Sequence, residues 1–342
     1  MYHLTHNYQL RQSNTFGISA IAKHYLTVDS SEDITQFFKD YHREDFNKLL
    51  LLGGGSNVLF TSDYDGLMIH PVITGIGVIT ENNQTVEVEA GAGVVWDHFV
   101  AWCVSKGWSG IENLSLIPGH TGAVPVQNIG AYGVEAASVI SEVRGIDLES
   151  GEFKSLGCEM CHFGYRSSIF KEQLKGKFMV TSVLFKLSKE HQYRLNYQGL
   201  ESCVQKYGET NLTNIRKAII AIRESKLPDP SKTGNGGSFF KNPVVSDQIA
   251  GSLREKYPNI PIYRTGGDNF KVAAGWLIEQ AGWKGKMVGK AAVHDQQALV
   301  IINLGGASGK EIVRLSRLVA EDVLQKFNIA LEREVEVVGD ET

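Results

Sequence analysis

Leu116-Ile117-Pro118-Gly119-His120-Thr121-Gly122-Ala123-Val124-Pro125-Val126-Gln127-Asn128-Ile129-Gly130-Ala131-Tyr132-Gly133 runs for 18 residues without one formal charge and contains four glycines. That is too much glycine for an ordinary strand and too little charge for an ordinary surface loop. Small side chains, close backbone approach and the amides of Gln127 and Asn128 suit a flat polar ring such as an isoalloxazine, which needs hydrogen bonds at its edge and no intruding bulk. A buried connecting loop is the plainer alternative.

Upstream, the run Leu49-Leu50-Leu51-Leu52 enters Gly53-Gly54-Gly55-Ser56-Asn57. This reads as a buried strand feeding a tight turn whose N–H groups can approach a phosphate. It is not a P-loop, which requires Gly-Lys-Ser/Thr, and Val58 stands where a dinucleotide fingerprint needs a third glycine. Downstream and between, Val86-Glu87-Val88-Glu89-Ala90 and Phe178 to Phe185 alternate with period two, predicting half-buried strands. One helix is predicted from Val95 to Lys106, with Val95, Phe99 and Cys103 on one face and Gly107 as its stop. Past Leu187 helical signals strengthen. Thr213 is expected to cap a helix carrying Ile215, Ala218, Ile219 and Ile222; another spans Val272 to Ala281, and Ser308-Gly309-Lys310-Glu311 is a capping box opening a third. A last strand is expected near Ala330 to Val338. Without a regular βαβ rhythm, the fold class is α+β.

Composition places the chain among globular proteins, with 42% hydrophobic and 21% charged residues. Its net charge of -4, from 38 acidic and 34 basic residues spread along the length, argues against a nucleic-acid-binding surface. The N-terminus has no signal-peptide pattern, and no apolar run suits a membrane span, so a cytoplasmic protein is expected. Four cysteines are too few and scattered for a disulfide scaffold. Cys158-Glu159-Met160-Cys161 beside His162 has the spacing of half a zinc site, but with no second pair free thiols are expected and no metal is assigned.

Three segments together, Gly53 to Phe60, Leu116 to Gly133 and Phe163-Gly164-Tyr165-Arg166-Ser167-Ser168-Ile169-Phe170-Lys171, resemble the UDP-N-acetylenolpyruvoylglucosamine reductase family. Gly234-Asn235-Gly236-Gly237-Ser238-Phe239-Phe240-Lys241-Asn242-Pro243, Ala273 to Ile278 and Leu331-Glu332-Arg333-Glu334-Val335 match further signatures in the same order, so the resemblance covers nearly the whole chain. Ala123-Val124 and Arg333 depart from the family's usual residues. The resemblance implies a non-covalent FAD held by a domain of the vanillyl-alcohol-oxidase (PCMH) type, and a separate α+β substrate-binding domain. It implies NADPH as reductant and UDP-N-acetylglucosamine enolpyruvate as substrate, in peptidoglycan precursor synthesis. Four segments follow: 1–70 and 71–210 for FAD, 211–328 for substrate, and 329–342 as a strand returning to the active site. A monomer is expected.

Reducing a vinyl ether that bears a carboxylate needs charge stabilisation and a proton donor across the double bond from the hydride. The resemblance points to Arg166 and Glu334 for the first and Ser238 for the second. On alternation alone, Glu332, Glu334 and Glu336 look equally like a solvated face. Cofactor contacts are expected from Gly53, Gly54, Gly55, Ser56, Asn57, Pro118, Gly119, Gly122, Ala123, Gln127, Asn128, Gly130, Ala131, Tyr132 and Gly133. Substrate contacts are expected from Tyr197 on a closing loop, Lys226 and Asn242. Lys241 or an ordered water would resupply the Ser238 proton, and His120 is where a covalent flavin link would sit. Two other readings stay open: another FAD oxidase or dehydrogenase of the same cofactor fold, and a non-catalytic nucleotide-sugar-binding protein.

Overall fold

The computed structural model describes residues 2–340, which divide into two compact units. The first unit comprises residues 2–8, Ala22–Gly55 and Asp65–Ser225; the second comprises Gln9–Ile21, Ser56–Tyr64 and residues 226–340.

In the first unit, a sheet in the order His3–Gln9, Ile21–Val28, Tyr64–Pro71, Leu49–Leu51 is covered by the helix Ser31–Asp40. Ser30 caps that helix by accepting the Asp33 N–H, and Ile34 and Phe37 point into a core with Leu26, Val28, Leu67 and Ile69. Leu49–Leu51 pairs in parallel with Leu67–Ile69 at the sheet's edge. With one neighbour only, these leucines are half-buried rather than buried as the apolar run predicts. A five-stranded antiparallel sheet follows, in the order Phe153–Gly157, Ile140–Asp147, Phe178–Ser188, Thr85–Gly91, Ile76–Glu81.

Thr85–Gly91 alternates as expected, burying Val86, Val88 and Ala90. Phe178–Ser188 does not: it is central, Met179 joins the first core and Val180, Val183 and Phe185 join the second, so both faces are covered. The helix Trp96–Ser105 packs Phe99 and Cys103 onto this second core. Val95 lies at its N-cap and is exposed, so the predicted apolar face starts one turn late.

The helix Leu212–Lys226 starts one residue before its expected cap. Asn211 performs the capping, its Oδ1 accepting the Asn214 N–H at 2.9 Å, so Thr213 is inside the first turn. This helix belongs with the first unit, because Ile215, Ala218 and Ile219 share a core with Leu200, Val204 and Tyr132. The compact boundary therefore falls at its end, not at 210/211.

The second unit holds a four-stranded sheet, Gly234–Ser238, Val300–Asn303, Ala291–Val293, Met287–Val288, and a three-stranded one, Val244–Ser246, Asn269–Val272, Ile262–Gly266. The helix Gly309–Phe327 opens with the expected capping box and ends at Asn328 in the left-handed region. The last strand is shorter than predicted, Glu336–Val338, pairing in parallel with Val58–Phe60. Thus 56–64, 9–21 and the C-terminal segment meet in one unit although sequence places them far apart.

Among the described residues no helix is long and apolar enough to cross a membrane, and no group of three or more metal-binding side chains occurs. All four cysteines are free. Burial, with smaller contributions from Cys158 and Glu159, pushes the Cys161 thiol up to about 12, so the C-x-x-C pair is a poor thiolate source.

Candidate active site

In the first unit the glycine turn and the uncharged loop face each other at backbone distance. A Cβ on Gly54 would lie 2.9 Å from the Gly119 Cα, and one on Gly53 would lie 3.3 Å from the Ala123 Cβ. Gly122 is required for the same reason, since its Cβ would stand 2.6 Å from that of Ala92. Glycine here removes side chains where two backbones close around a cradle. Against Gly54 lies His120. Burial, helped by neighbouring His70, lowers its pKa below the ordinary imidazole value, and its Nδ1 is buried without a hydrogen-bond partner.

The loop's first residue, Leu116, is at φ +58°, a conformation that costs a leucine about 1–3 kcal/mol. Charged side chains hold it there. The Asp97 carboxylate accepts the Leu116 N–H at 2.5 Å and forms a bidentate pair with Arg216 at 2.6 and 2.8 Å. Arg223, half-buried, donates to the Leu116 carbonyl at 3.2 Å, and its charge lies close to Tyr132 at the loop's other end. Burial alone would raise the Asp97 pKa, but the Arg216 hydrogen bonds, the Leu116 N–H and the Arg216 charge outweigh it and hold the carboxyl below the usual range. None of Asp97, Arg216 and Arg223 was expected from sequence. Their signal was slight: two arginines seven residues apart on one helix.

Asn128, at φ +42°, also serves the loop. Its amide donates to Glu135 at 3.1 Å and to the Gly164 carbonyl at 3.0 Å, and its Oδ1 accepts the Ala137 N–H at 2.9 Å. The side chain expected at a ring edge is instead committed to the protein. Arg166, also left-handed at φ +54°, donates to the carbonyls of Asn128 at 3.3 Å and Gly130 at 2.6 Å. Gly130 gives it room: a Cβ there would lie 2.9 Å from the guanidinium. A guanidinium has five N–H donors, and these two bonds fix its plane. Gln127, Ala131 and Gly133 lie along the same loop, and Pro118 is exposed at its start. Tyr197, 43% exposed, packs edge-on to Tyr132 with ring centroids 4.8 Å apart.

In the second unit a backbone ladder joins the residues after Ser238 to the segment that carries Glu334. The Glu334 N–H donates to the Phe239 carbonyl at 2.9 Å, Phe240 bridges Arg333, and the Lys241 N–H donates to the Glu332 carbonyl at 2.9 Å. The Asn57 amide donates to the Glu334 carbonyl at 3.0 Å, and a bend follows that buries Val335. The three glutamates do not share one solvated face: Glu332 is exposed, whereas Glu334 and Glu336 are half-buried. Ser238 is half-buried ahead of fully buried Phe239 and Phe240, and Gly237 before it is at φ +70°. Lys241 is ion-paired with Glu332, so passing a proton to Ser238 would require breaking that pair. The Asn242 Oδ1 accepts the Ala274 N–H at 2.9 Å, capping the helix Ala274–Gln280, and Lys226 is exposed at the start of the unit.

A glycine cradle, a strained uncharged loop and a guanidinium docked on it define, in this α+β setting, an FAD-binding oxidoreductase; residues 22–157 match the FAD binding domain family. Residues 229–338 match the C-terminal domain of UDP-N-acetylenolpyruvoylglucosamine reductase. The chain is 44% identical over 335 residues to the reductase of that name from Flavobacterium johnsoniae, covering 97% of this chain and 98% of that one. It is 45% identical to that of Bacteroides fragilis over 331 residues, covering 97% and 99%. The crystal structure of the Thermus caldophilus enzyme shares the fold, with a TM-score of 0.67 at 22% identity over 99% of both chains. The chain belongs to the UDP-N-acetylenolpyruvoylglucosamine reductase family, FAD-containing enzymes of peptidoglycan precursor synthesis that use NADPH as reductant.

Proposed function

We propose that Arg166, Glu334 and Ser238 divide the chemistry of reducing UDP-N-acetylglucosamine enolpyruvate to UDP-N-acetylmuramate. FAD would be held without a covalent bond by Gly53–Gly55, Ser56, Asn57 and the loop from Pro118 to Gly133, and would supply hydride equivalents taken from NADPH. The glycine cradle and the unpartnered His120 nitrogen support that assignment. Arg166, oriented by the loop's own carbonyls, opposes the negative charge that develops on the substrate carboxylate. Glu334, half-buried and fixed through its backbone on both sides, supports the same charge as a hydrogen-bonding carboxyl. Ser238 gives the proton to the carbon next to the carboxylate. Phe239 and Phe240 restrict water there, so the hydroxyl acts against a strongly basic centre rather than against solvent. With Lys241 tied to Glu332, resupply through a water is the simpler route. Tyr197, Lys226 and Asn242 hold the diphosphate and sugar, and Tyr197 closes over them. The working enzyme is read as a cytoplasmic monomer.

The observation that supports this reading is the ladder joining Phe239–Lys241, the residues that follow Ser238, to Glu332–Glu334. Stopped-flow spectroscopy tests it. Ser238→Ala should leave flavin reduction by NADPH nearly intact and slow reoxidation by substrate at least ~100-fold, with Ser238→Cys partly active. Equal loss in both half-reactions would make the serine a structural residue. An alcohol oxidase would instead show flavin reduced by its organic substrate, and a binding protein would take up the sugar nucleotide without consuming NADPH.

A further inference from the structure

Asn235 is 5% exposed, and both polar atoms of its side chain are hydrogen-bonded. Its Nδ2 donates to the Pro228 carbonyl at 3.1 Å and the Thr233 carbonyl at 2.8 Å, its Oδ1 accepts the Gly237 N–H at 2.9 Å, and its own N–H donates to the Thr15 carbonyl at 3.0 Å. The two arms of one amide thus reach two different pieces of chain. One arm fixes the loop two residues beyond Lys226. The other fixes left-handed Gly237, the residue immediately before Ser238.

We propose that Asn235 is a positioning residue that locks the Ser238 turn to the Lys226 loop, so that substrate anchoring and proton delivery are held in one frame. The inference rests on the roles given above to Ser238 and Lys226. Replacing the amide changes these two functions separately, because its donors serve one and its acceptor the other. Asparagine suits this position because only an amide of this length presents two donors and an acceptor from one short side chain. Aspartate keeps an acceptor for Gly237 but turns a carboxylate oxygen towards the carbonyls of Pro228 and Thr233, which repels both. Alanine removes both arms. The surrounding glycines add to the effect: Gly236 has no room for a Cβ against the Phe16 ring at 2.6 Å, and Gly237 relies on a left-handed φ, so no neighbouring side chain can take over.

The test uses full-length holoenzyme carrying Asn235→Ala or Asn235→Asp, with Ser238→Ala in parallel. Flavin reduction by NADPH, flavin reoxidation by the enolpyruvyl sugar nucleotide, substrate Kd and thermal midpoint are all measured. Asn235→Ala should slow reoxidation at saturating substrate roughly 10- to 100-fold, the effect expected of a misplaced reacting group, and weaken substrate binding while NADPH reduction changes less than about twofold. Asn235→Asp should weaken substrate binding comparably yet recover most of the reoxidation rate. That split between binding and rate is something a merely structural asparagine would not produce. Equal losses in both half-reactions, or wild-type binding and reoxidation in both variants, would overturn the proposal. Should Asn235→Ala fail to fold, the split in Asn235→Asp decides alone. A wild-type reoxidation rate in Ser238→Ala would remove the proton-donor role, and the Asn235 inference would then stand or fall on the Kd of its variants.

Discussion

Between Leu116 and Gly133 three non-glycine residues, Leu116, Asn128 and Tyr132, stand at positive φ; between Gly234 and Asn242 the described backbone reaches that region only at Gly237. Both segments are glycine-rich and both are assigned to the reaction, yet they are stabilised by different means. The uncharged loop spends conformational energy on its left-handed side chains, and charged groups on two helices, Asp97, Arg216 and Arg223, offset it. The serine loop avoids the strain by using glycine; the neutral Asn235 amide holds Gly237, and the ladder to Glu332–Glu334 holds the residues after Ser238. A loop proposed to present bare backbone to a flat cofactor carries no charges of its own, so its supports come from outside it. A loop proposed to aim one hydroxyl is held by hydrogen bonds close to that residue.

The largest expected effect comes from unseating the guanidinium that lies on the first loop. Arg166→Met should lower the rate of substrate reduction by ~10²–10³, the usual loss on deleting one preorganised charge-stabilising group. Gly130→Ala should move in the same direction with Arg166 untouched, because the new methyl would stand 2.9 Å from the guanidinium. Unchanged reoxidation in Gly130→Ala, measured in single turnovers, would show that the loop does not orient Arg166.

A smaller effect is expected from the outside supports. Asp97→Asn leaves Arg216 and Leu116 with weakened partners and should destabilise the protein by about 1–3 kcal/mol, read from urea unfolding at pH 7. Its pH dependence has a definite sign. A carboxyl held below its unfolded value stabilises fully above the ordinary aspartate pKa of ~3.9, and that contribution is lost as pH falls through the folded value. Wild type and Asp97→Asn should therefore converge in stability on the acid side of that window. A constant gap between them down to pH 2 would mean that the pair contributes nothing through ionisation.

The mildest change is expected at Tyr197, whose contact with Tyr132 is one edge-to-face pair worth ~0.5–1.5 kcal/mol. Tyr197→Ala should weaken substrate binding while leaving NADPH use alone, and Tyr197→Phe, which keeps the ring contact, isolates the hydroxyl. Unchanged substrate Kd in both variants would remove Tyr197 from the binding surface.

The regular pieces of this fold were legible where one local signal sufficed. The Ser308–Glu311 capping box and the Val86–Ala90 alternation both follow from neighbours within four residues. The reading failed where packing on a second side mattered, as in Phe178–Ser188, or where a neighbour was lacking, as at the Leu49–Leu51 edge. Candidate residues followed the same rule. Glycines needed for close approach announce themselves by type, but Asn128 carries the same amide whether it faces a ligand or the protein, and only its three hydrogen bonds show that it faces the protein.

By itself the sequence determined the chemical inventory: an uncharged glycine loop, an arginine at Arg166, a serine after a glycine run, three alternating glutamates near the end. These are properties of side chains and of spacing along the chain. It left Glu332, Glu334 and Glu336 equivalent, because alternation is a rule about an unbent strand. Tertiary structure separates only Glu332, which is exposed, from Glu334 and Glu336, which are both half-buried. The Glu334 backbone is bonded to the Phe239 carbonyl and the Asn57 amide, while Glu332 pairs with Lys241. Tertiary structure also decided that residues 9–21 and 56–64 join the second unit, and that Asp97, Arg216 and Arg223 hold a loop whose own sequence carries no charge. Such pairings depend on contacts between residues far apart along the chain, 91 positions for Lys241 and Glu332 and 119 for Asp97 and Arg216, where no local preference operates and only the packed chain fixes which groups meet.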